Sequence, residues 1–380
     1  MSFESLGLSP ALLKNLADEH FTIPTPIQLA AIPAIMNKKD VLAIAKTGSG
    51  KTASYVLPLI MNLGHVEPAK NRHINTLILV PTRELAEQIK GVFTSLAKNL
   101  TPPIKTLAVY GGSSINPQMI AMQGVNVLIA TPGRLIELVE SNAVHLSSIQ
   151  MLVLDEADKM LSLGFKEEVD KIISLLPRKR QNILLSATLN SDLENINQLV
   201  LKDPTIIKIE DDELEEAPID SINQLAYLVS PEKKGPYLRQ LIEKQDMQQV
   251  LIFASSIFQV DAIVNKLCKN NIKARAIHGK KSQGSRTESL SLFKAGKLRV
   301  LVATDLMARG IDINNLPFVI NYELPRSPKD YIHRIGRTGR ADNIGTAISL
   351  ITPSELHHFT VIEKKIKKSI PLIDIEREGK

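Results

Sequence analysis

The amino-acid sequence predicts an α/β protein of two tandem units, each an open, mostly parallel sheet covered by helices. Three observations lead there. Short runs rich in β-branched residues, apolar on both faces, recur along the chain. Longer amphipathic segments separate them, and strands alternating with helices at this spacing build a sheet with helices on both sides. The rhythm breaks once, at the acidic stretch EDDELEEAPID (210–220), and then resumes.

In the first unit, VLAIA (41–45), TLILV (76–80), NVLIA (126–130), MLVLD (151–155) and NILLSA (182–187) read as buried parallel strands. Helical patterns lie between them, TRELAEQIKGVFTSLAKNL among them. The acidic stretch before Pro218 reads as a solvated linker. Beyond it, VLIFA (250–254), KARAI (273–277), RVLVA (299–303), FVINY (318–322) and GTAISLI (345–351) repeat the strand pattern. The C-terminal stretch from Ser354 reads as a basic amphipathic helix stopped by Pro371, its lysines a solvated face. The expected boundaries are 1–210, a linker at 211–220, 221–370, and a short tail at 371–380.

A length of 380 residues suits two compact domains, and 44% hydrophobic with 23% charged residues is ordinary for buried cores. The formal net charge of +6 permits a nucleic-acid partner without showing one. The single cysteine, Cys268, excludes an internal disulfide and a thiolate zinc cluster. MSFESLGLSP lacks the basic-then-apolar pattern of a signal peptide, and no apolar run is long enough to span a bilayer. A cytoplasmic, soluble protein without a membrane partner is expected. Tryptophan is absent and aromatics make up 4%, so base stacking is not the expected mode of gripping a nucleic acid.

VLAIAKTGSGKTASYVLPLI places a glycine-rich turn between a strand and a helix. Gly48 and Gly50 allow a tight loop whose N–H groups point inward at phosphate oxygens, and the helix N-terminus adds a favourable dipole. In such a loop Lys51 reaches the outer phosphates and Thr52 offers its hydroxyl to Mg²⁺. Ala45 stands where the strict pattern has glycine, but GSGKT is intact. MLVLDEADKM then puts Asp155 and Glu156 at the carboxyl tip of a buried strand, the edge where open α/β sheets bind ligands. Asp155 is the expected metal anchor, and Glu156 the group that orients or deprotonates an attacking water.

DEAD (155–158) is the signature of the DEAD-box RNA helicases, and the rest of the chain resembles that family motif by motif. FTIPTPIQ (21–28), AKTGSGKT (45–52), PTRELAEQ (81–88), GG (111–112), TPGR (131–134), SAT (186–188), LIFASS (251–256), ATDLMARGID (303–312) and HRIGRTGR (333–340) follow in order. HGKKSQGSR (278–286) and the compact form look most like the bacterial RhlE-type branch. The resemblance implies two RecA-like domains that close over ATP and single-stranded or partly duplex RNA. It implies an RNA-dependent ATPase that unwinds short duplexes or remodels RNA–protein complexes, using ATP and Mg²⁺. Phe21 would stack on adenine and Gln28 read its edge. Thr47, Gly48, Ser49 and Gly50 would line the phosphates with Lys51 and Thr52. Asp312 would contact the ribose, and Arg337 and Arg340 the phosphates. Asp158, Ser186, Thr188 and His333 would couple the site to closure. Arg83, Gly112, Thr131, Arg134, Arg286 and Thr304 would contact RNA backbone. Ribosomal precursor particles and RNA-decay machinery are family-level partners, and the core is expected to be monomeric. His20, Lys46 and Met307 depart from common family residues without removing a group the chemistry needs. A DNA translocase or a non-catalytic RNA clamp on the same scaffold are the competing readings.

Several residues keep two readings. Phe21 alone reads as core, while Pro24 and Pro26 stiffen the loop that presents Gln28. Arg83 opens a helix, where a cation opposes the dipole, so it needs an anionic partner: Glu87 at i+4 or a phosphate. TPGRL (131–135) has the same design, with exposed amides at a helix start that suit a phosphate. His278 reads equally as a polar loop residue or a ligand, and His145, His357 and His358 as surface residues. In the stretch 327–340, Ser327 reads as an N-cap, Pro328 as the first helical position and Asp330 as completing a capping box. His333, Arg337 and Arg340 then share a face if the helix persists, with Tyr331, Ile332 and Ile335 opposite. Arg334 points elsewhere, to a solvated or structural role.

Overall fold

The computed structural model describes residues 2–45, 48–64, 71–188, 200–209, 222–305, 313, 315–339 and 345–375. Thr47, Asp312 and Arg340 lie outside these residues, as do Lys46, Met307 and the expected linker. The chain forms two compact units, residues 1–210 and 211–380.

The first unit carries seven strands: β1 (Val41–Ile44), β2 (Thr76–Leu79), β3 (Thr106–Val109), β4 (Val127–Ala130), β5 (Met151–Leu154), β6 (Gln181–Ser186) and β7 (Thr205–Lys208). They lie in the order β3-β4-β2-β5-β6-β1-β7, and every described pairing is parallel. Successive side chains point to opposite faces, so one strand feeds two cores. Ile78, Val127, Ile129, Val153 and Ile183 pack with Leu12, Tyr55 and Phe93 on one side. Leu77, Leu128, Leu152 and Leu184 pack with Leu135 and Ile172 on the other. That explains why these runs are apolar at every position.

The second unit repeats the plan with β8 (Ile222–Leu228), β9 (Val250–Phe253), β10 (Ala274–Ile277), β11 (Val300–Ala303), β12 (Phe318–Asn321), β13 (Gly345–Ile351) and β14 (Leu372–Asp374). Their order is β10-β11-β9-β12-β13-β8-β14, again all parallel. Val250, Ile252, Val300 and Val302 face one core, and Leu251, Phe253, Leu301 and Ala303 the other.

Four strands went unread in the sequence: β3, β7, β8 and β14. Three are sheet edges and the fourth lies beside one. An edge strand is covered less completely and needs no continuous apolar run; Ile206 in β7 is 57% exposed and Leu372 in β14 is 42%. The stretch read as a tail thus contributes an edge strand, in register with Ala226–Leu228. The basic helix ends earlier than Pro371, at Leu356–Ile366, where Lys367 turns left-handed at φ 54°. Among the described residues no helix is long and apolar enough to cross a membrane.

Gly345 opens β13 against the turn that precedes it. A Cβ there would collide with the Thr338 hydroxyl and lie 2.5 Å from the Gly339 amide nitrogen. Gly345→Ala is therefore expected to destabilise the protein by about 1–3 kcal/mol through overpacking. An unchanged midpoint in urea unfolding contradicts this packing.

Candidate functional site

In a parallel sheet all strands end at one edge, and the loops leaving that edge hold most of the described singled-out residues, Phe21, Gln28, His333 and Arg337 apart. In the first unit, strand order sorts them. β6, β1 and β5 lead into the SAT, glycine-rich and DEAD stretches; β2, β3 and β4 lead into PTRE, GG and TPGR.

Gly48 and Gly50 have φ of +88° and +89°, which the tight loop requires. Gly50 also has no room for a side chain, since a Cβ would sit 2.6 Å from Gln28 Nε2 and 2.8 Å from Thr25 Oγ1. Gln28 is buried; its Oε1 accepts from the Thr25 amide at 2.9 Å and its Nε2 donates to the Gly50 carbonyl at 3.2 Å. Phe21 is partly buried, edge-on to Phe3 with ring centres 6.5 Å apart. Lys51 opens the helix Lys51–Leu63 and its ammonium donates to the Ala45 carbonyl, across the base of the loop. Burial pushes this amine below the usual lysine value, against the pull of Asp155, Glu156 and Asp158.

Asp155 lies at the end of β5, buried. Its Oδ2 accepts from the Tyr55 hydroxyl at 2.8 Å and its Oδ1 from the Glu156 amide at 2.9 Å. Burial, then the neighbouring Glu156, raises its pKa to about 6, while Lys51 opposes the shift. Glu156 adopts a left-handed backbone, φ 52° and ψ 47°, at the start of the helix Ala157–Ser162. Such a conformation costs a non-glycine residue about 1 kcal/mol or more and is concentrated at functional sites. Its Oε1 holds Lys159 at 2.7 Å, and its Oε2 is buried without a partner among the described residues. Asp158 Oδ2 accepts from the Thr188 hydroxyl at 3.0 Å, and Ser186 Oγ donates to the Thr188 carbonyl at 2.7 Å. Asp158, Ser186 and Thr188 therefore form one connected group.

The donor set fits Mg²⁺. Asp155 and Thr52 offer hard oxygens at the mouth of the phosphate loop, and the buried Glu156 Oε2 is an acceptor suited to a cation's water shell. Among the described residues no group of three or more His, Cys, Asp or Glu could cage a metal. Mg²⁺ needs no such cage, since it keeps waters and takes substrate phosphate oxygens.

On the other half of the edge, three loops interlock. Gly112, at φ +73°, lies against Arg83; a Cβ there would be 2.6 Å from the Arg83 Cζ. Arg134 is buried, donating to the Ser113 carbonyl and to Glu137, each at 2.8 Å, with its Nη1 left without a partner among the described residues. Thr131 precedes the helix Pro132–Glu140 and its amide bonds the Val109 carbonyl at 3.1 Å. Glu87, one reading of Arg83's partner, is engaged by Tyr110 at 2.8 Å and Lys90 at 3.4 Å. Gln118 braces the GG loop through the Tyr110 amide at 3.1 Å and the Ser113 hydroxyl at 2.8 Å. Sequence reasoning missed Gln118 and Tyr110, which carry no motif spacing.

In the second unit, Thr304 follows β11, partly exposed. Arg286 is buried; it donates to the Lys281 carbonyl at 3.0 Å and the Gly279 carbonyl at 2.8 Å, bracing the loop 279–281 from behind. His278 is buried beside it, 3.2 Å from Asp261, so it is a loop support.

Ser327 caps the helix Pro328–Ile335, accepting from the Asp330 amide at 3.2 Å. Tyr331 and Ile335 are buried and His333 is exposed. The helix does not persist to Arg337. It ends at Gly336 because Thr338 is drawn into a bridge with Leu316, whose amide bonds the Arg337 carbonyl at 3.0 Å. Arg337 is therefore placed by a turn, partly exposed, and the shared helical face with His333 does not form. Arg334 takes the structural role. It is 2% exposed, pairs with both Asp305 oxygens at 2.5 and 2.8 Å, donates to the Glu323 carbonyl at 2.6 Å, and lies 5.0 Å over the Phe253 ring.

Residues 25–196 match the DEAD/DEAH box helicase family and residues 233–342 the helicase conserved C-terminal domain. The chain is 38% identical over 376 residues to the DEAD-box ATP-dependent RNA helicase RhpA of Helicobacter pylori, covering 98% of this chain and 74% of the relative. It is 34% identical to the DEAD-box ATP-dependent RNA helicase CshA of Geobacillus kaustophilus, covering 100% and 80%. Among solved structures it is similar to Saccharomyces cerevisiae Dbp5 bound to RNA and ADP BeF3, with 28% identity, TM-score 0.83 and coverage of 98% and 95%. A DEAD box protein from Methanococcus jannaschii is 36% identical with TM-score 0.54, covering 98% and 99%.

The buried pair in the second unit sets an expectation. Arg334→Ala leaves Asp305 without its partner and should cost about 3 kcal/mol, the low end for a broken buried pair because Asp305 is 31% exposed. Arg337→Ala should leave stability nearly unchanged. Equal urea midpoints for the two variants contradict the division of roles.

Proposed function

The chain belongs to the DEAD-box family of RNA helicases, and from that premise we propose how its residues divide the work of an RNA-dependent ATPase that locally unwinds RNA or remodels RNA–protein complexes. One observation carries the division: the strand order of the first sheet puts the phosphate and carboxylate loops after β1, β5 and β6, and the arginine loops after β2, β3 and β4.

On the nucleotide half, Lys51 exchanges the Ala45 carbonyl for a phosphate oxygen when ATP binds. Gln28 keeps one N–H and one lone pair after its bonds to Thr25 and Gly50, the pair needed for the N7 and N6 edge of adenine. Phe21 supplies the ring face. Thr52 and Asp155 hold Mg²⁺, which neutralises charge on the phosphate oxygens. Glu156, held by Lys159 through one oxygen, turns the other to the attacking water and takes its proton. Arg337, with Arg340 and Asp312, completes the nucleotide contacts on closure, so hydrolysis awaits both ligands. Asp158, Ser186, Thr188 and His333 report that closure.

On the other half, Arg83, Gly112, Thr131 and Arg134 grip RNA phosphates. Gly112 offers its backbone amide and Thr131 its hydroxyl, since the Thr131 amide is taken by Val109, and Arg134 contributes an Nη1 that has no partner among the described residues. Thr304 and the loop braced by Arg286 do the same from the second unit. Binding is then to the backbone and insensitive to base sequence. Placement in the RhlE-type branch is supported by HGKKSQGSR (278–286). A monomeric cytoplasmic core acting on ribosomal precursors or with the RNA-decay machinery is the wider reading.

Glu156→Gln should lower RNA-stimulated kcat by at least about 100-fold while ATP affinity stays within a few fold. Function in cells that survives this loss favours the non-catalytic clamp, and stimulation by DNA equal to that by RNA favours the translocase. Arg337→Ala should lose about 1,000-fold in hydrolysis with little change in ATP binding. An equal loss in both measurements refutes the assignment.

A further inference from the structure

Tyr55 is the one fully buried tyrosine whose hydroxyl ends on a carboxylate of the nucleotide site. It lies one helical turn beyond Thr52 and is 0% exposed, its ring within the core under the sheet. Its hydroxyl donates to Asp155 Oδ2 at 2.8 Å. The phenol therefore holds the carboxylate that the preceding reading gives to Mg²⁺.

The direction of this chain decides what the cation meets. A hydroxyl has one proton and two lone pairs. The Tyr55 proton is committed to Asp155, since an ionised carboxylate only accepts. Asp155 is fixed on both sides: Oδ1 takes the Glu156 amide and Oδ2 takes the phenol. Two donors at opposite ends of the carboxylate lock its plane, and each oxygen keeps lone pairs for the cation or its waters.

We propose that Tyr55 is a positioning residue for Mg²⁺, locking the Asp155 carboxylate so that it presents lone pairs to the nucleotide-bound cation. The inference rests on the assignment of Asp155 to that cation. Tyr55 touches neither nucleotide nor metal, so its effect is confined to steps that need the metal.

The test uses the full chain and a fluorescent ADP analogue, titrated with Mg²⁺ and separately in excess chelator. Tyr55→Phe keeps the ring that fills the core and removes only the hydroxyl. The Mg²⁺ concentration for half-maximal tightening should rise about three- to tenfold, the range for one lost hydrogen bond of ordinary strength. Affinity without Mg²⁺ should stay within about twofold. In an Asp155→Asn background the same substitution should have little further effect, which a general packing defect would not reproduce. Wild-type Mg²⁺ dependence in Tyr55→Phe overturns the inference, and so does an equal weakening with and without Mg²⁺. If the wild-type protein binds the analogue equally with and without Mg²⁺, the underlying metal assignment falls first and the inference with it.

Discussion

Most of the chemistry proposed above depends on one constraint: in an all-parallel sheet every strand must leave at the same edge. Each parallel strand returns by a crossover, so its outgoing loop opens at the carboxyl end. The fourteen described strands in two sheets obey this. The consequence is that motifs distant in sequence become neighbours by strand order alone. Gly48, Asp155 and Ser186 follow adjacent strands although more than one hundred residues separate the first two. Arg83, Gly112 and Arg134 meet in the same way.

The nucleotide half stores unfavourable energy. Raising the Asp155 pKa from 3.8 to about 6 means the folded chain prefers this carboxyl protonated more than the unfolded chain does. Stability is therefore highest below the unfolded value and declines as pH rises towards the folded one. By neutral pH the cost is on the order of 3 kcal/mol. Lys51 offsets part of it but is itself disfavoured by burial. The left-handed Glu156 and its Oε2, without a partner among the described residues, add to the same account. A fold tolerates such a concentration of strain where a ligand relieves it, and a divalent cation with phosphates is the ligand with the right charge.

The sequence was legible where one residue type had one physical use. Runs apolar on both faces fed two cores and read correctly as buried parallel strands. Edge strands such as β7, with Ile206 exposed, had no such signal. The glycines of GSGKT were legible because the loop demands positive φ, and the capped start at Ser327 because the cap and Pro328 sit side by side. What could not be read was tertiary. The helix holding His333 stops at Gly336 because Thr338 pairs with Leu316, twenty-two residues earlier in the chain. Tyr55 looks like any core aromatic until β5 brings Asp155 to its hydroxyl.

Arginine shows what burial adds. Arg334 and Arg337 stand three residues apart in one motif, and helical spacing already points Arg334 away, to a solvated or structural role. Burial decides between those two. Arg334 donates from its guanidinium to Asp305, Asn321 and the Glu323 carbonyl, the acceptors that a desolvated cation must have. Arg337 lies beyond the helix end, partly exposed, with its backbone fixed by Leu316. The first arginine therefore fixes the platform, tying β12 to the loop after β11. The second projects from a turn whose position that platform determines. A buried arginine beside the one proposed for the chemistry is thus a mechanical arrangement: the rigid partner supplies the precision that a long, flexible side chain lacks on its own.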